Sequence, residues 1–332
     1  MAPDGACPFP AAPRRALVLL LPYVHALDFA GPVQAIHEAN GFGAKYELRY
    51  VGTAREIRSA QGFRFGAVEP LPRVTGSDWV LVPGTESARL EELKAPSEWL
   101  QEAGRNAARV TSICSGAFAL AKAGLLDGRL CTTHWKLTSR LREWSPTARV
   151  LENRLYVRDG IVVTSAGEAS GIDMALALIQ EDQGPALAAK VAREMVVYAR
   201  RSGQSDQQSA YLQFRAHTHP GVHRVQDWIV EHPDRKATLG VLADVAALSP
   251  RHLTRVFREA TGVTLIAFAH RVKLEVARVL VQNRALSLEA IANRCGFDDA
   301  RQLRRLWKEH CGSVLSAERR TRSNRSDFNA GE

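Results

Sequence analysis

The chain has 332 residues, 45% hydrophobic and 24% charged, which excludes a fibrous or wholly disordered polypeptide and leads us to expect two compact domains. Its five cysteines (Cys7, Cys114, Cys131, Cys295, Cys311) are widely spaced. They show no Cys-x-x-Cys or Cys/His ligand spacing, so neither a disulfide framework nor a metal site is expected, and a reducing cytoplasm is the simplest compartment. The formal charge of +9 is uneven: residues 218–332 hold 19 Lys and Arg against 13 Asp and Glu. That surplus suits a polyanion, because each cation placed near a phosphate releases condensed counterions.

Residues 1–14 are rich in Pro and Ala and read as a disordered tail. The apolar run Ala16–Leu21 follows two arginines, as in a secretion signal, but it is short, ends at Pro22 and lacks a cleavage site. A buried parallel strand is the better expectation. No apolar run is long enough to cross a bilayer, so no membrane partner is expected. Further strands are expected at Tyr46–Val51, Trp79–Val82, Arg109–Ile113, Leu155–Val157 and Ile161–Thr164. Between them, helices are expected at Gly31–Ala39, Ser97–Ala107, Gly116–Ala123 and Gly171–Gln180. This alternation predicts an α/β three-layer sandwich with a parallel, flavodoxin-like sheet over residues 15–199, with Trp79, Trp135 and Cys131 in its core. The polar stretch starting at Arg200 reads as a linker, placed at 200–217. An all-α domain is expected over 218–320 and a second disordered tail over 321–332.

The helical part repeats itself. Leu242-Ala243 matches Ile291-Ala292, and Leu253, Arg255, Phe257 and Gly262 match Leu303, Arg305, Trp307 and Gly312. Each copy fits helix-turn-helix chemistry. In the first, Leu242 and Val245 face inward, Leu248 fills the turn, and Ser249-Pro250 supplies an N-cap followed by proline at the first helical position. Leu253, Val256 and Phe257 then point inward and leave Arg251, His252, Thr254, Arg255 and Arg258 outward. In the second copy Gly296 allows a left-handed turn residue, and Asp298 or Asp299 caps a helix burying Leu303, Leu306 and Trp307. Its outward face holds Arg301, Gln302, Arg304, Arg305 and Lys308. Arg and Gln on such a face suit the guanine and adenine edges of a major groove. The helix expected at Ile266–Asn283 would hold the two readers in fixed relation. The bland reading, a helical bundle with a solvated basic face, does not account for the duplication.

Residues Leu239–Arg320 resemble the AraC/XylS-type DNA-binding domain. The resemblance rests on Leu253-Thr254-Arg255-Val256-Phe257, Gly262, Lys273-Leu274-Glu275-Val276-Ala277-Arg278 and Ile291–Phe297. The family usually has Pro three residues after each of the two Gly positions, where this chain has Leu265 and Leu315. It also commonly has Phe and Tyr where Leu303 and Glu318 stand.

In the first half, Val110–Ala117 places Cys114 at a strand-to-helix junction, followed by Ser115 and Gly116. In such a nucleophile elbow the sharp turn exposes the thiol, the helix N-terminus lowers its pKa, and the glycine makes room for the bend. Gly84 ends the neighbouring strand, where its N–H and that of Ser115 could bind an oxyanion. Asp28 follows the first strand and either caps the next helix or meets a ligand. His134 reads as a hydrogen-bonded core histidine or a ligand group, and Glu168 as a neighbour of the same cleft. Cys114 itself has three open readings: nucleophile, pocket wall, or redox or covalent sensor.

These stretches resemble the PfpI/ThiJ-like branch of the class I glutamine amidotransferase-like superfamily. Asp28-x-x-Gly31-Pro32, Ile113-Cys114-Ser115-Gly116 and Thr132-Thr133-His134-Trp135 look most similar to the GlxA subgroup of AraC-type regulators. The protease members carry His directly after Cys, where this chain has Ser115; hydratase-like relatives use an Asp near the Cys. The resemblance implies a cytoplasmic, sequence-specific transcription regulator that binds double-stranded promoter DNA. It implies a small-molecule effector in a cleft of Asp28, Gly84, Cys114, Ser115 and His134, with no catalytic residue and no cofactor, and homodimerisation is expected through the α/β domain. The alternative is a Cys-dependent hydratase or amidase using Cys114 and Asp28, with an attached DNA-binding domain.

Overall fold

The computed structural model describes residues 13–197, 201–203, 205–207, 209, 213–281, 283, 285–311 and 314–315, with no side-chain placement for Cys311. The expected C-terminal tail, all but the last two residues of the expected N-terminal one, and Cys7, Gly312 and Glu318 lie outside the described residues. Packing divides the chain into Met1–Gln207 and Gln208–Glu332.

The first unit is built on a six-stranded sheet. In chain order its strands are β1 (Arg14–Leu19), β2 (Tyr46–Val51), β5 (Trp79–Val82), β6 (Arg109–Ile113), β9 (Tyr156–Asp159) and β10 (Val162–Ser165). They lie in the order β2-β1-β5-β6-β10-β9, all parallel except β9 against β10. Two short pairs complete the strands: β3 (Ile57–Arg58) with β4 (Arg64–Phe65), and β7 (Leu130–Cys131) with β8 (Arg149–Val150).

The continuous apolar run after Arg15 is explained by burial on both faces. Ala16, Val18 and Leu20 feed one core cluster, while Leu17, Leu19 and Leu21 feed the other. On the first face lie α1 (Ala26–Gly41), α5 (Ala169–Gln183) and α6 (Pro185–Glu194). On the other lie α2 (Ser97–Asn106), α3 (Gly116–Lys122) and α4 (Thr138–Trp144). The sequence reading missed α4 and α6. Trp79 is fully buried as expected, but Trp135 is 44% exposed, because it opens a 3-10 turn (Trp135–Leu137) in which no residue is buried.

The chain leaves β1 toward one edge of the sheet and returns through β5 toward the other. That reversal puts a topological switch point at the carboxyl ends of β1 and β5, the place where open parallel sheets bind ligands.

The polar stretch after Arg200 is bonded onto this unit. Arg201 donates its N–H and its guanidinium to the buried Asp173 at 3.0 and 2.9 Å. Ser205 O accepts from Leu155 N at 3.1 Å, and Gln207 Nε2 donates to Thr133 O at 2.9 Å and Arg154 O at 3.1 Å.

The second unit contains α7 (Pro220–Glu231), α8 (Leu239–Ala246), α9 (Pro250–Thr261), α10 (Leu265–Val281), α11 (Leu288–Arg294) and α12 (Ala300–Cys311). Thr238, Ser249 and Ser287 each accept a backbone N–H as N-caps, and Pro250 opens α9. Asp299, rather than Asp298, caps the last helix, accepting from Gln302 N at 2.7 Å. Leu253, Phe257, Leu303 and Trp307 have no exposed surface, so both copies bury the expected face. Leu265 and Leu315, which stand at the family's usual Pro positions, are both buried in core.

Candidate ligand cleft and nucleic-acid interface

Residues from four strand ends meet at this switch point. Cys114, directly after β6, has φ +53, the left-handed backbone of a strained elbow. Its N–H donates to Ser165 O at 3.0 Å, and its carbonyl accepts from Thr133 Oγ1 at 2.8 Å. Gly116 is required here by close approach rather than by the bend, since a Cβ would collide with Val82 O of β5. A side chain at Gly167 would likewise strike Cys114, so that glycine closes the wall opposite the thiol.

Asp28 sits in the first turn of α1 and is completely buried. It does not cap its own helix. Oδ1 accepts from Glu168 N at 2.6 Å, while Oδ2 is buried beside the Cys114 thiol with no well-formed hydrogen bond among the described residues. Oδ2 lies over Gly84, where a Cβ would clash with it and would stand 2.9 Å from Ser115 Oγ and 3.0 Å from Cys114 Cβ. The Ser115 hydroxyl is held within the wall: it donates to Thr85 O at 2.6 Å and accepts from Thr85 N at 2.8 Å.

Burial sets the electrostatics. Desolvation raises the Asp28 carboxyl to about 6, against the bond from Glu168 N–H. Desolvation, and then the charge of Asp28, push the Cys114 thiol well above the ordinary thiol range. This overturns the expectation of a thiol activated by its helix. α3 is only two turns long, and its N-terminus is outweighed by a dry site and a carboxylate.

His134 is half-buried at the rim, with its pKa lowered by desolvation and by Lys136. Its Nδ1 accepts from Lys136 N at 3.3 Å. His25 and Glu168, 3.8 Å apart, stand at the same rim. The sequence reading passed over Gly167 and His25; only the positive φ of Gly167 (+102) marks it, and glycine alone does not reveal that. Among the described residues, no group of three or more His, Cys, Asp or Glu is placed to hold a metal ion.

In the second unit, Arg251, His252, Thr254, Arg255 and Arg258 are exposed on α9, and Arg251, Thr254, Arg255, Arg258 and Glu259 line a shallow surface depression. Arg255 pairs with Glu259 one turn on at 3.0 Å. On α12, Arg301, Arg304, Arg305 and Lys308 are exposed, and Arg305 faces Glu309 in the same spacing at 4.0 Å. Gln302 is turned back instead. Its Oε1 accepts from Asp298 N at 2.8 Å and its Nε2 donates to Asp298 Oδ2 at 3.2 Å.

The profile of the DJ-1/PfpI family matches residues 14–181, and that of a helix-turn-helix domain matches residues 242–321. The chain is 31% identical over 296 residues to the HTH-type transcriptional regulator GlxA of Rhizobium meliloti, covering 87% of this chain and 91% of that protein. It belongs to the DJ-1/PfpI family, in its branch of AraC-type regulators. The regulator is also 29% identical over 306 residues to the HTH-type transcriptional regulator CdhR of Pseudomonas aeruginosa, covering 91% of this chain and 90% of that one. An isonitrile hydratase of Pseudomonas putida is 32% identical over 166 residues, 49% of this chain and 69% of the enzyme. The protein is thus a DNA-binding transcription regulator carrying an AraC-type helix-turn-helix domain. Among the described residues no helix is long and apolar enough to cross a membrane.

Proposed function

We propose that this regulator responds to a small molecule held, without being transformed, in the cleft of Asp28, Gly84, Cys114, Ser115 and His134. In this reading a sensing domain over residues 15–199 is joined through 200–217 to a DNA-binding domain over 218–320. The protein acts in the cytoplasm as a homodimer formed through the α/β domain. Ser115 contributes to the cleft by fixing its wall, and His134 by closing its rim.

The observation that carries this reading is the buried Oδ2 of Asp28, which makes no well-formed hydrogen bond among the described residues and meets only the neutral Cys114 thiol. A buried carboxylate oxygen with only a weak S–H neighbour is under-satisfied, and a ligand donor group would complete it. Catalysis is poorly served by the same geometry. A nucleophile needs the thiolate, and an oxyanion over Gly84 would face the Asp28 carboxylate. The enzymatic alternative, a hydratase or amidase, rests on the contact between Asp28 and Cys114 and on the likeness to the hydratase.

DNA reading is assigned to Arg251, His252, Thr254, Arg255 and Arg258 on α9 and to Arg301, Arg304 and Arg305 on α12, with Gln302 shaping the start of α12. The test begins with genome-wide mapping of bound sites, followed by titration of one bound promoter fragment. Arg255→Ala and Arg304→Ala are each expected to lose about 1–3 kcal/mol of binding, and Cys114→Ala none. Equal affinity of the wild type and both arginine variants would remove these assignments. Turnover of an isocyanide or amide that vanishes in Cys114→Ala would install the enzymatic alternative.

A further inference from the structure

The helix α10 belongs to two cores. Leu265, Phe268, Ala269 and Val272 complete the core around the first helix-turn-helix. Leu274, Ala277 and Val281 complete the core around the second, and the two clusters share no residue. Lys273 falls at the changeover.

That lysine is only 8% exposed. Desolvation lowers its pKa, while Asp298 acts in the opposite sense. Its Nζ donates to Gly296 O at 2.5 Å and stands 5.9 Å from the centre of the Phe297 ring. Gly296 is the turn residue of the second helix-turn-helix, with φ +66.

The same turn is gripped from another side by the loop between α7 and α8. A Cβ at Gly296 would stand 2.6 Å from Asp234 O and 2.7 Å from Pro233 O. Lys236 of that loop pairs with Asp298 at 2.8 Å. The first copy provides the control. Its corresponding turn residue is Ala247, with φ +53, so the left-handed conformation alone does not demand glycine. In the second copy, the approach of Pro233 and Asp234 does.

We propose that Lys273, together with the Pro233–Lys236 loop, is the positioning joint that sets the angle between α9 and α12. It thereby sets the spacing between the two DNA segments one protomer can hold at once, a consequence that rests on both copies meeting DNA. Apolar packing is non-directional and lets two small cores slide against each other. A charged hydrogen bond aimed at one carbonyl is directional, and leaving that carbonyl or ammonium unpaired inside the protein is costly. The joint therefore admits one arrangement of the two reading helices.

The test uses the full chain in two measurements. In the first, spin labels are placed at Glu259→Cys and Glu309→Cys, with Cys7 and Cys311 replaced by Ser, and no DNA is present. The wild-type joint gives one narrow distance distribution, and Lys273→Met is expected to broaden it about twofold or more. In the second, duplexes selected from a random library are lengthened by two base pairs between the two protected segments, a rotation of about 70°. The wild type is expected to lose about tenfold or more in affinity, and Lys273→Met less than about threefold.

An unchanged distance distribution in Lys273→Met overturns the joint. Broadening without any spacing effect keeps the joint and instead overturns its DNA consequence. If Lys273→Met fails to fold, Lys236→Ala, which removes only an exposed partner, must broaden the distribution; if it does not, the proposal falls.

Discussion

Asp28 has no exposed surface, one oxygen bonded to Glu168 N–H and the other facing the Cys114 thiol without a well-formed hydrogen bond among the described residues. Its carboxyl is raised from 3.8 to about 6, so the folded protein binds this proton more tightly than the unfolded chain does. Stability from this group is therefore fully present below about pH 4 and is lost as pH rises through 6. Asp28→Asn keeps the acceptor for Glu168 N–H and removes the charge. Above pH 7 it should be more stable to unfolding than wild type, by up to about 3 kcal/mol in denaturant titration, and the difference should shrink toward pH 4. A wild-type advantage at pH 8 would contradict this. The same substitution removes the charge facing Cys114, so alkylation of the Cys114 peptide at pH 8, followed by mass spectrometry, should run several-fold faster than in wild type. The positions of Asp28, Gly84 and Cys114 were legible in the sequence because each follows an apolar strand. The sign of the Cys114 shift was not, because it depends on burial and on a carboxylate 86 residues earlier in the chain.

The strands were the most legible elements. An uninterrupted Val/Leu run too short for a helix fits a strand buried on both faces, and the expected strand limits lie within two residues of the observed ones. The helices α4 and α6 were not seen, since α4 is seven residues with few apolar positions and α6 begins directly after α5 at Gly184-Pro185. The polar stretch after Arg200, expected as a linker, has engaged groups near its start: Arg201 with Asp173, and Gln207 with two carbonyls. Gly203 permits the close approach, for a Cβ there would lie 2.5 Å from Tyr156 O. Thr133, bonded to Gln207, is also bonded to the Cys114 carbonyl, which links this segment to the wall of the cleft. Gln207→Leu should leave Thr133 and Arg154 carbonyls unmatched and destabilise the first unit by about 1–3 kcal/mol in urea unfolding. A variant of wild-type stability would show that water replaces the amide.

Each of the two units has its own apolar cores, two around the sheet and two among the helices. Calorimetry of the full chain should therefore resolve two transitions, and a specific DNA duplex should raise only the one assigned to the helical unit. A single transition that shifts as a whole with DNA would show instead that the units unfold together. The separation of cores also runs inside the helical unit, where the two helix-turn-helix copies are stabilised by different residues of one long helix. Amide exchange should accordingly find two protection classes there, α11 and α12 in one and α8 and α9 in the other, with the joint at Gly296 among the last groups to open. Where both copies meet a promoter, local opening of one core, with the joint still holding its place beside the other, would make departure a staged event, and residence time would follow the rarer coincidence of both cores being open.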